Sequence, residues 1–445
     1  MARGRDGRAP HGGPGAVQAR PWGHVTTLPG RTRAAVAVGR AVARASRLAG
    51  AGEGSVIGGR ATLVVDGAAL RRLAAGKAVA LVSGTNGKTT TTRLLTAALA
   101  TRHPVVSNTQ GANLLPGLVG ALSARPHASA AALEVDEGVL RHAVTDAQPR
   151  VVALLNLSRD QLDRIGEVRL HAASWAEALR TAPGATAVAN ADDPLVVWAA
   201  RNAAAVTWVG TGQRWMADAA SCPACAARIA RETSGGDDGP GRDAGPSWWC
   251  TGCDLRRPTA DVELAASAVV MGGGQRVPLD LALPGRCNQA NAAVATAAAF
   301  ALEPTLDPHA VAAALGEVRT VEGRYEVRRT GGRSVRLLLA KNPAGWAEAL
   351  DLVRPAPVGL VIGINARVAD GRDPSWLWDV EFERLAARRV IATGDRGRDL
   401  AVRLRYAGVE HAFVEGYPAA VAAPDSADVD LLANYTSFQD ARRAL

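Results

Sequence analysis

Ser83-Gly84-Thr85-Asn86-Gly87-Lys88-Thr89-Thr90 is the stretch on which the reading of this chain turns. The apolar residues 78–82 precede it, and Leu94, Leu95, Ala98 and Leu99 follow at helical spacing. The pattern predicts a strand, a tight glycine loop and a helix. Backbone N–H groups of such a loop, with the helix N-terminus, form a cradle for anions. Lys88 can reach the terminal phosphates of a nucleotide, and the Thr89 hydroxyl can face Mg²⁺. A plain glycine turn would account for Gly84 and Gly87, but Lys-Thr-Thr directly after Gly87 has little structural use. The chemistry is therefore expected to begin with a nucleoside triphosphate.

Working outward, short apolar runs alternate with helical stretches. Strands are expected at 105–106, 130–135, 151–155 and 186–189. Such alternation implies a mostly parallel, doubly wound α/β sheet. Functional groups then gather at the carboxyl ends of the strands, where Glu134, Asn156 and Asn190 fall. A carboxylate at the position of Glu134 commonly holds Mg²⁺; a solvated strand end is the plainer alternative. A break near 316–324 opens a second set of strands at 334–340, 358–364 and 389–393. This predicts a smaller Rossmann-like α/β domain reaching the C-terminus.

At 445 residues, 48% hydrophobic and 21% charged, the chain has the composition of a globular protein of two or three domains. No apolar run reaches the roughly 18–20 residues that a membrane span needs. The net charge of +9 is concentrated in residues 1–50, which hold nine arginines against the single acid Asp6. The remainder is close to neutral and carries no sign of the basic face that a nucleic-acid-binding domain needs. Residues 1–33 read as a disordered basic head. Residues 34–49 read as a basic amphipathic helix, either docked on the body or drawn to an anionic membrane face. Arginines interrupt its apolar residues, which argues against a signal peptide. A cytoplasmic location, with peripheral attachment at the inner face of the cell membrane, is the expectation.

Four of the five cysteines form two C-x-x-C pairs, Cys222/Cys225 and Cys250/Cys253. Two such knuckles at this spacing read as a tetrahedral Zn²⁺ site, a zinc ribbon set in an insertion at 220–257. Four thiolates leave no open coordination position, so the site is expected to be structural. Two disulfides are the alternative and suit an oxidising compartment better. Cys287 is left over, as a small buried residue.

With these motifs in order, the chain resembles the Mur ligase family over residues 55–330. The loop departs from G-x-x-x-x-G-K-[ST], having Val82 where that pattern has glycine, and is similar to the compact G-T-N-G-K-T-T loop of that family. The stretch Asn156-Leu157-Ser158-Arg159-Asp160-Gln161-Leu162-Asp163 resembles the family's N-L-[ST]-x-D-H-L-D. Gln161 stands where many relatives place a histidine that helps hold a second Mg²⁺, and a neutral amide is a poorer ligand. Arg159 and Asp160 are candidates for substrate or phosphate contact, or else a structural ion pair. Asn288-Gln289-Ala290-Asn291 resembles the segment beside the nucleotide base; Asn288 as a simple helix N-cap is the alternative. Two further features, the four-cysteine insertion and the text 339–345 and 369–376, resemble the MurT family of synthetase subunits of lipid II isoglutaminyl synthase.

That resemblance implies a Mur ligase-like ATP-binding domain at 34–320 that carries the four-cysteine insertion. It implies a C-terminal domain at 321–445 on which a partner docks. Gly84, Thr85, Asn86, Gly87, Lys88, Thr89, Thr90, Asn288 and Asn291 would bind ATP, and Thr89 and Glu134 the Mg²⁺. The activity implied is ATP-dependent amidation of the α-carboxylate of D-glutamate in the lipid II stem peptide. The carboxylate is phosphorylated, and ammonia displaces the phosphate. Lys88 and Glu134 would serve that phosphoryl transfer. The ammonia would come from a GatD-like glutaminase in a heterodimer, to whose Cys–His pair Asp373 lends its carboxylate; Asp370 competes for that role, and a turn residue before Pro374 is the plainer reading of Asp373. A Mur or folylpolyglutamate-type ligase that adds an amino acid is a second possibility, and a zinc-ribbon protein binding nucleic acid a third.

Overall fold

The computed structural model describes residues 27–50, 54–108, 111–159, 168–213, 215–232, 247–319 and 325–445. Asp160, Gln161, most of the loop between the cysteine pairs and the expected junction at 320/321 lie outside them.

Two sheets organise the chain. The larger has nine strands in the spatial order Arg276–Pro278, Ala268–Met271, Val262–Ala265, Ala205–Gly210, Thr186–Asn190, Val151–Leu154, Ala78–Ser83, Ala130–Glu134 and Val105–Val106. All neighbouring pairs are parallel except the two involving Ala268–Met271. Ala78–Ser83 is buried along its whole length. That is why it reads as an unbroken apolar run rather than an alternating one. Its neighbours are Ala130–Glu134 on one side and Val151–Leu154 on the other, in a register that sets Val82 opposite Glu134 and Ser83 opposite Leu154. The glycine loop, Glu134 and Asn156 thus leave the sheet at one edge of its central strands.

Helices cover both faces. On one side Lys88–Ala100 packs against the alanine-rich helix Arg286–Leu302. Ala292, Ala293, Ala295, Ala298 and Ala299 of that helix are fully buried. Small side chains let it lie close to the sheet and bring its N-terminal turn beside the glycine loop. On the other side Leu118, Leu122, Leu140 and Trp175 form a second core with the strands.

The smaller sheet has six strands in the order Tyr325–Thr330, Arg333–Leu339, Asp428–Ala433, Gly359–Gly363, Arg389–Thr393 and Glu410–Phe413. Only the first pair is antiparallel. Trp346, Trp376 and Phe382 pack edge to face and tilted on one side of it.

The first helix, Gly30–Leu48, begins four residues ahead of the segment expected to be helical, so 30–33 belong to it rather than to the basic head. Arg31 and Thr32 hold its first turn to the body: the guanidinium donates to the Val65 carbonyl at 2.9–3.0 Å and the hydroxyl to Asp66 at 2.6 Å.

Candidate functional site

The glycine loop is built by reciprocal hydrogen bonds to the segment after strand Val151–Leu154. The Asn86 N–H donates to Asn156 Oδ1 at 2.9 Å, and Asn156 Nδ2 donates back to the Asn86 carbonyl at 3.0 Å. Thr85 Oγ1 accepts from the Ser158 N–H at 3.0 Å and donates to the Ser158 carbonyl at 3.1 Å. These bonds hold the loop open before any anion arrives, so binding one costs little ordering entropy. Gly84 and Gly87 have φ of 155° and 87°. A Cβ on Gly87 would stand 2.3 Å from Asn291 Oδ1, and one on Gly84 2.7 Å from the Leu155 Cβ. The backbone therefore approaches its neighbours more closely than any other residue allows.

Lys88 opens the helix Lys88–Ala100 and is 8% exposed. Its ammonium donates to the Thr85 carbonyl at 3.3 Å and pairs with Glu137 at 2.8 Å. Glu137, three residues past Glu134, was not singled out by sequence reasoning, although its position near a strand end was visible. Glu134 is 5% exposed, with Oε1 accepting from Asn113 Nδ2 at 3.3 Å. Asn108 braces the Glu134 backbone, bonding both its N–H, at 2.8 Å, and its carbonyl, at 2.9 Å. Thr89 and Glu134 together offer a hydroxyl and a carboxylate, the oxygen donors that a hard cation such as Mg²⁺ takes.

Asn288 lies in the third position of the helix Arg286–Leu302, which Gly285 caps. Its Nδ2 donates to the Pro284 carbonyl at 2.7 Å. It is therefore not the N-cap, and it faces a cavity of about 200 Å³. Asn86, Gly87, Asn156 and Asn291 line that cavity from the larger-sheet side, and Lys341 and Gly345 from the smaller-sheet side. The two sides are tied directly: Asn86 Nδ2 donates to Asn342 Oδ1 at 3.2 Å across 256 residues of sequence. Asn342 also caps the helix Pro343–Asp351, accepting from the Gly345 N–H at 2.9 Å. The chain holds three lysines, Lys77, Lys88 and Lys341. Two of them stand at this site, in a protein that uses arginine almost everywhere else.

Arg159 pairs with Asp218 and, at 3.5 Å, with Asp379. This is the ion-pair reading of that residue, and it links the loop after Asn156 to both neighbouring units. Asp192 and Asp193 are anchors. Asp193 caps the helix Pro194–Ala200 and accepts from the Leu157 N–H at 2.9 Å. Asp192 accepts from Arg257 at 2.7 Å and fixes the end of the cysteine insertion.

The four cysteine sulfurs lie within 4.8 Å of one another, with Cys222–Cys253 at 3.6 Å and Cys225–Cys250 at 3.4 Å. Four sulfurs at Zn–S of about 2.3 Å in a tetrahedron stand roughly 3.8 Å apart; a disulfide needs about 2.05 Å. None of the five cysteines is in a disulfide. In each knuckle a backbone N–H, from Ala224 or Gly252, donates to the first sulfur at 3.3 Å. The insertion is seated by Trp248, fully buried, whose Nε1 donates to the Ala191 carbonyl at 3.2 Å. Cys287, expected to be buried, is half-buried and lines the cavity; desolvation pushes its thiol up to about 12, away from the ready thiolate that a cysteine nucleophile needs.

Of the two aspartates in the loop after Gly359–Gly363, Asp370 is buried and accepts from the Thr436 N–H at 2.8 Å. Asp373 is exposed, and its only described bond is from the Ser375 N–H at 2.8 Å.

The Mur ligase middle domain profile matches residues 82–235, and the MurT ligase C-terminal profile residues 339–438, together more than half of the chain. The MurT subunit of a glutamine-hydrolyzing lipid II isoglutaminyl synthase from Streptococcus pneumoniae is 29% identical over 423 residues, covering 88% of this chain and 93% of that protein. The same subunit from Staphylococcus aureus is 28% identical over 395 residues, 84% of this chain and 88% of its own. Among solved structures, a pseudomurein peptide ligase type C from Methanothermus fervidus has the same fold. Its TM-score is 0.64 at 20% identity, over 83% of this chain and 78% of that one. On the strand-loop-helix cradle, the two profiles and this nearly end-to-end likeness, the chain belongs to the MurT type of the Mur ligase family.

Proposed function

We propose that the chain is the ATP-dependent ligase subunit that amidates the α-carboxylate of D-glutamate in the stem peptide of lipid II. The observation that carries this is the preorganised Gly84–Thr90 loop with Lys88 at its helix N-terminus, in a chain whose relatives are named as MurT subunits. A carboxylate is a poor electrophile at neutral pH. Transfer of the γ-phosphoryl group from ATP makes an acyl phosphate; ammonia then attacks the carbonyl, inorganic phosphate leaves, and the nitrogen sheds a proton. Lys88 balances charge on the moving phosphoryl group. Thr89 and Glu134 would hold Mg²⁺, which would supply Lewis-acid neutralisation of the phosphate oxygens. Asn288 and Asn291 flank the base. Amino-acid-adding ligases share the fold and part of the sequence, but the relatives matched over most of their own length are MurT subunits, so that alternative is not favoured.

Nitrogen must come from outside. The sequence has no recognisable glutaminase motif: four cysteines are gathered in one cluster, and the fifth lines the cavity with its thiol pushed up by desolvation. A GatD-like glutaminase docked on the C-terminal unit is the source, with exposed Asp373 completing its Cys–His pair. The pair works at the cytoplasmic face of the membrane, where ATP and a lipid-linked precursor meet. The test is conversion of lipid II by the purified chain with ATP and glutamine, with and without the glutaminase. Amidation without ATP consumption would refute the reading.

The cysteine cluster holds structural Zn²⁺ in this reading. Cys222→Ser should drop zinc content, read by plasma mass spectrometry, from about one ion per chain to near zero and lower Tm by roughly 5 °C or more.

The Asn86–Asn342 bond ties the nucleotide loop to the C-terminal unit, and Asn342→Asp separates its two roles. Aspartate caps a helix as well as asparagine does, so Tm should hardly move. The new carboxylate beside the loop repels the triphosphate; a charge at roughly 10 Å in an effective dielectric of about 20 costs about 1.5 kcal/mol. The KM for ATP should therefore rise roughly ten-fold.

A further inference from the structure

The helices Gly30–Leu48 and Ser55–Val65 form an antiparallel pair laid on the body. Their inner faces are built from small residues. A Cβ on Gly39 would lie 2.6 Å from the Gly58 carbonyl oxygen, and one on Gly59 1.8 Å from that of Pro116. The opposite faces are apolar yet uncovered. Leu48 is 90% exposed, Val64 81%, Ile57 50% and Val38 44%. In an ordinary amphipathic surface helix these outward positions are polar. The exposed polar residues of the two helices include the arginines Arg33, Arg44, Arg47 and Arg60, while Arg31 and Arg40 bond to the body. Between Asp6 and Asp66 the sequence contains one acid, Glu53.

Aliphatic side chains interleaved with cations, with acids nearly absent, match an anionic bilayer: the apolar groups enter the headgroup boundary and the guanidinium groups meet lipid phosphates. A nucleic-acid backbone would be met by the arginines alone and would leave the valines, Ile57 and Leu48 facing water. Neither helix is long and apolar enough to cross a membrane. We propose that the outer face of this helical pair is a peripheral docking surface for anionic phospholipid bilayers. The inference rests on the proposed function for its purpose, since a lipid-linked substrate gives such a surface its use, but its physics is independent.

The full chain is floated with vesicles of phosphatidylcholine containing about 30% phosphatidylglycerol, and with phosphatidylcholine alone. Binding to the anionic vesicles, weakened by salt, is the expected result, with little on the neutral ones. Arg33→Glu/Arg44→Glu/Arg60→Glu should weaken binding by at least roughly ten-fold. Val38→Asp/Val64→Asp should weaken it as well, with unchanged Tm because both side chains are exposed. Wild-type-like binding by either variant, or no binding by the wild type at physiological salt, overturns the proposal. So does duplex DNA that displaces the vesicles with the same arginine dependence. Amidation of detergent-solubilised lipid II, with ATP and ammonia supplied, is measured in parallel. Its loss in the wild type with vesicle binding intact sinks the enzymatic reading and leaves the surface standing.

Discussion

Lys88→Ala should lower amidation by roughly 10³-fold, with glutamine or with ammonia supplied directly. The argument starts from the position of the side chain. Lys88 is the first residue of its helix and is 8% exposed, so its charge acts where water does not screen it. In the structure the ammonium sits among the Gly84 and Thr85 carbonyls and the Glu137 carboxylate. A triphosphate brings more negative charge than Glu137 into the same cradle and competes for the same cation. Charge that moves with the γ-phosphoryl group is then met by a donor already in place. Truncation to alanine removes that donor and leaves Glu137 as an unpaired buried carboxylate facing phosphate. The loss should therefore fall on turnover as well as on ATP affinity. Lys88→Arg tests the geometry. Its planar fork keeps the charge but cannot place it as the compact ammonium does among the Gly84 and Thr85 carbonyls and Glu137, and it should rescue binding of ATP better than it rescues turnover. The discriminating measurement is ammonia-driven turnover at saturating ATP. If Lys88→Ala retains more than a tenth of it, Lys88 is not at the reacting phosphate.

What could be read from the sequence was local. Ala78–Ser83, the loop and Lys88–Ala100 are contiguous, and each announces itself by pattern: six buried residues, all but the last apolar, two glycines at positive φ, then apolar residues at helical spacing. The cysteine cluster was legible because C-x-x-C repeated twice has few other uses. The edge strands Val262–Ala265, Ala268–Met271 and Arg276–Pro278 were not. They are three or four residues long and interrupted by Gly272–Gly274, which leaves too little alternation to register. The long-range parts of the site were equally silent. Asn342 reads as a helix cap, and only the folded chain sets it against Asn86. Glu137 reads as a strand-end acid until Lys88 is placed beside it. Asp192 and Asp193 follow the strand end at Asn190, but their work in seating the cysteine insertion and the Asn156 loop depends on contacts to Arg257 and Leu157.

Asp373→Asn should separate the two nitrogen sources. Glutamine-driven amidation should fall by roughly 10³–10⁴-fold, while ammonia-driven amidation should stay within about two-fold of the wild type. The reason is division of labour between the two ends of the molecule. In the proposed reaction phosphoryl transfer falls to the Gly84–Thr90 loop, and among the described bonds none joins that cradle to Asp373. A triad acid acts at a distance from the reacting carbon: it fixes the tautomer of a histidine and stabilises its protonated form, which asparagine cannot do. Of the two aspartates in the loop, Asp370 is committed to the Arg367 and Thr436 backbone N–H groups at 3.2 and 2.8 Å. Its replacement should unsettle the loop itself and lower Tm. Asp373 is exposed and keeps one carboxylate oxygen on the Ser375 N–H. Asparagine preserves that turn through its side-chain carbonyl, so the loop should keep its shape and Tm should hold. Trp378, 56% exposed a few residues on, packs edge to face on the 74% exposed Tyr406. This offers a docked subunit an apolar foothold five residues from the acid in sequence. The two rates are measured on the assembled pair, and co-purification checks that the variant still binds its partner. An equal fall in both rates with assembly intact would place Asp373 outside the glutaminase site and turn attention to Asp370. A fall confined to glutamine would fix the shared active site at this loop.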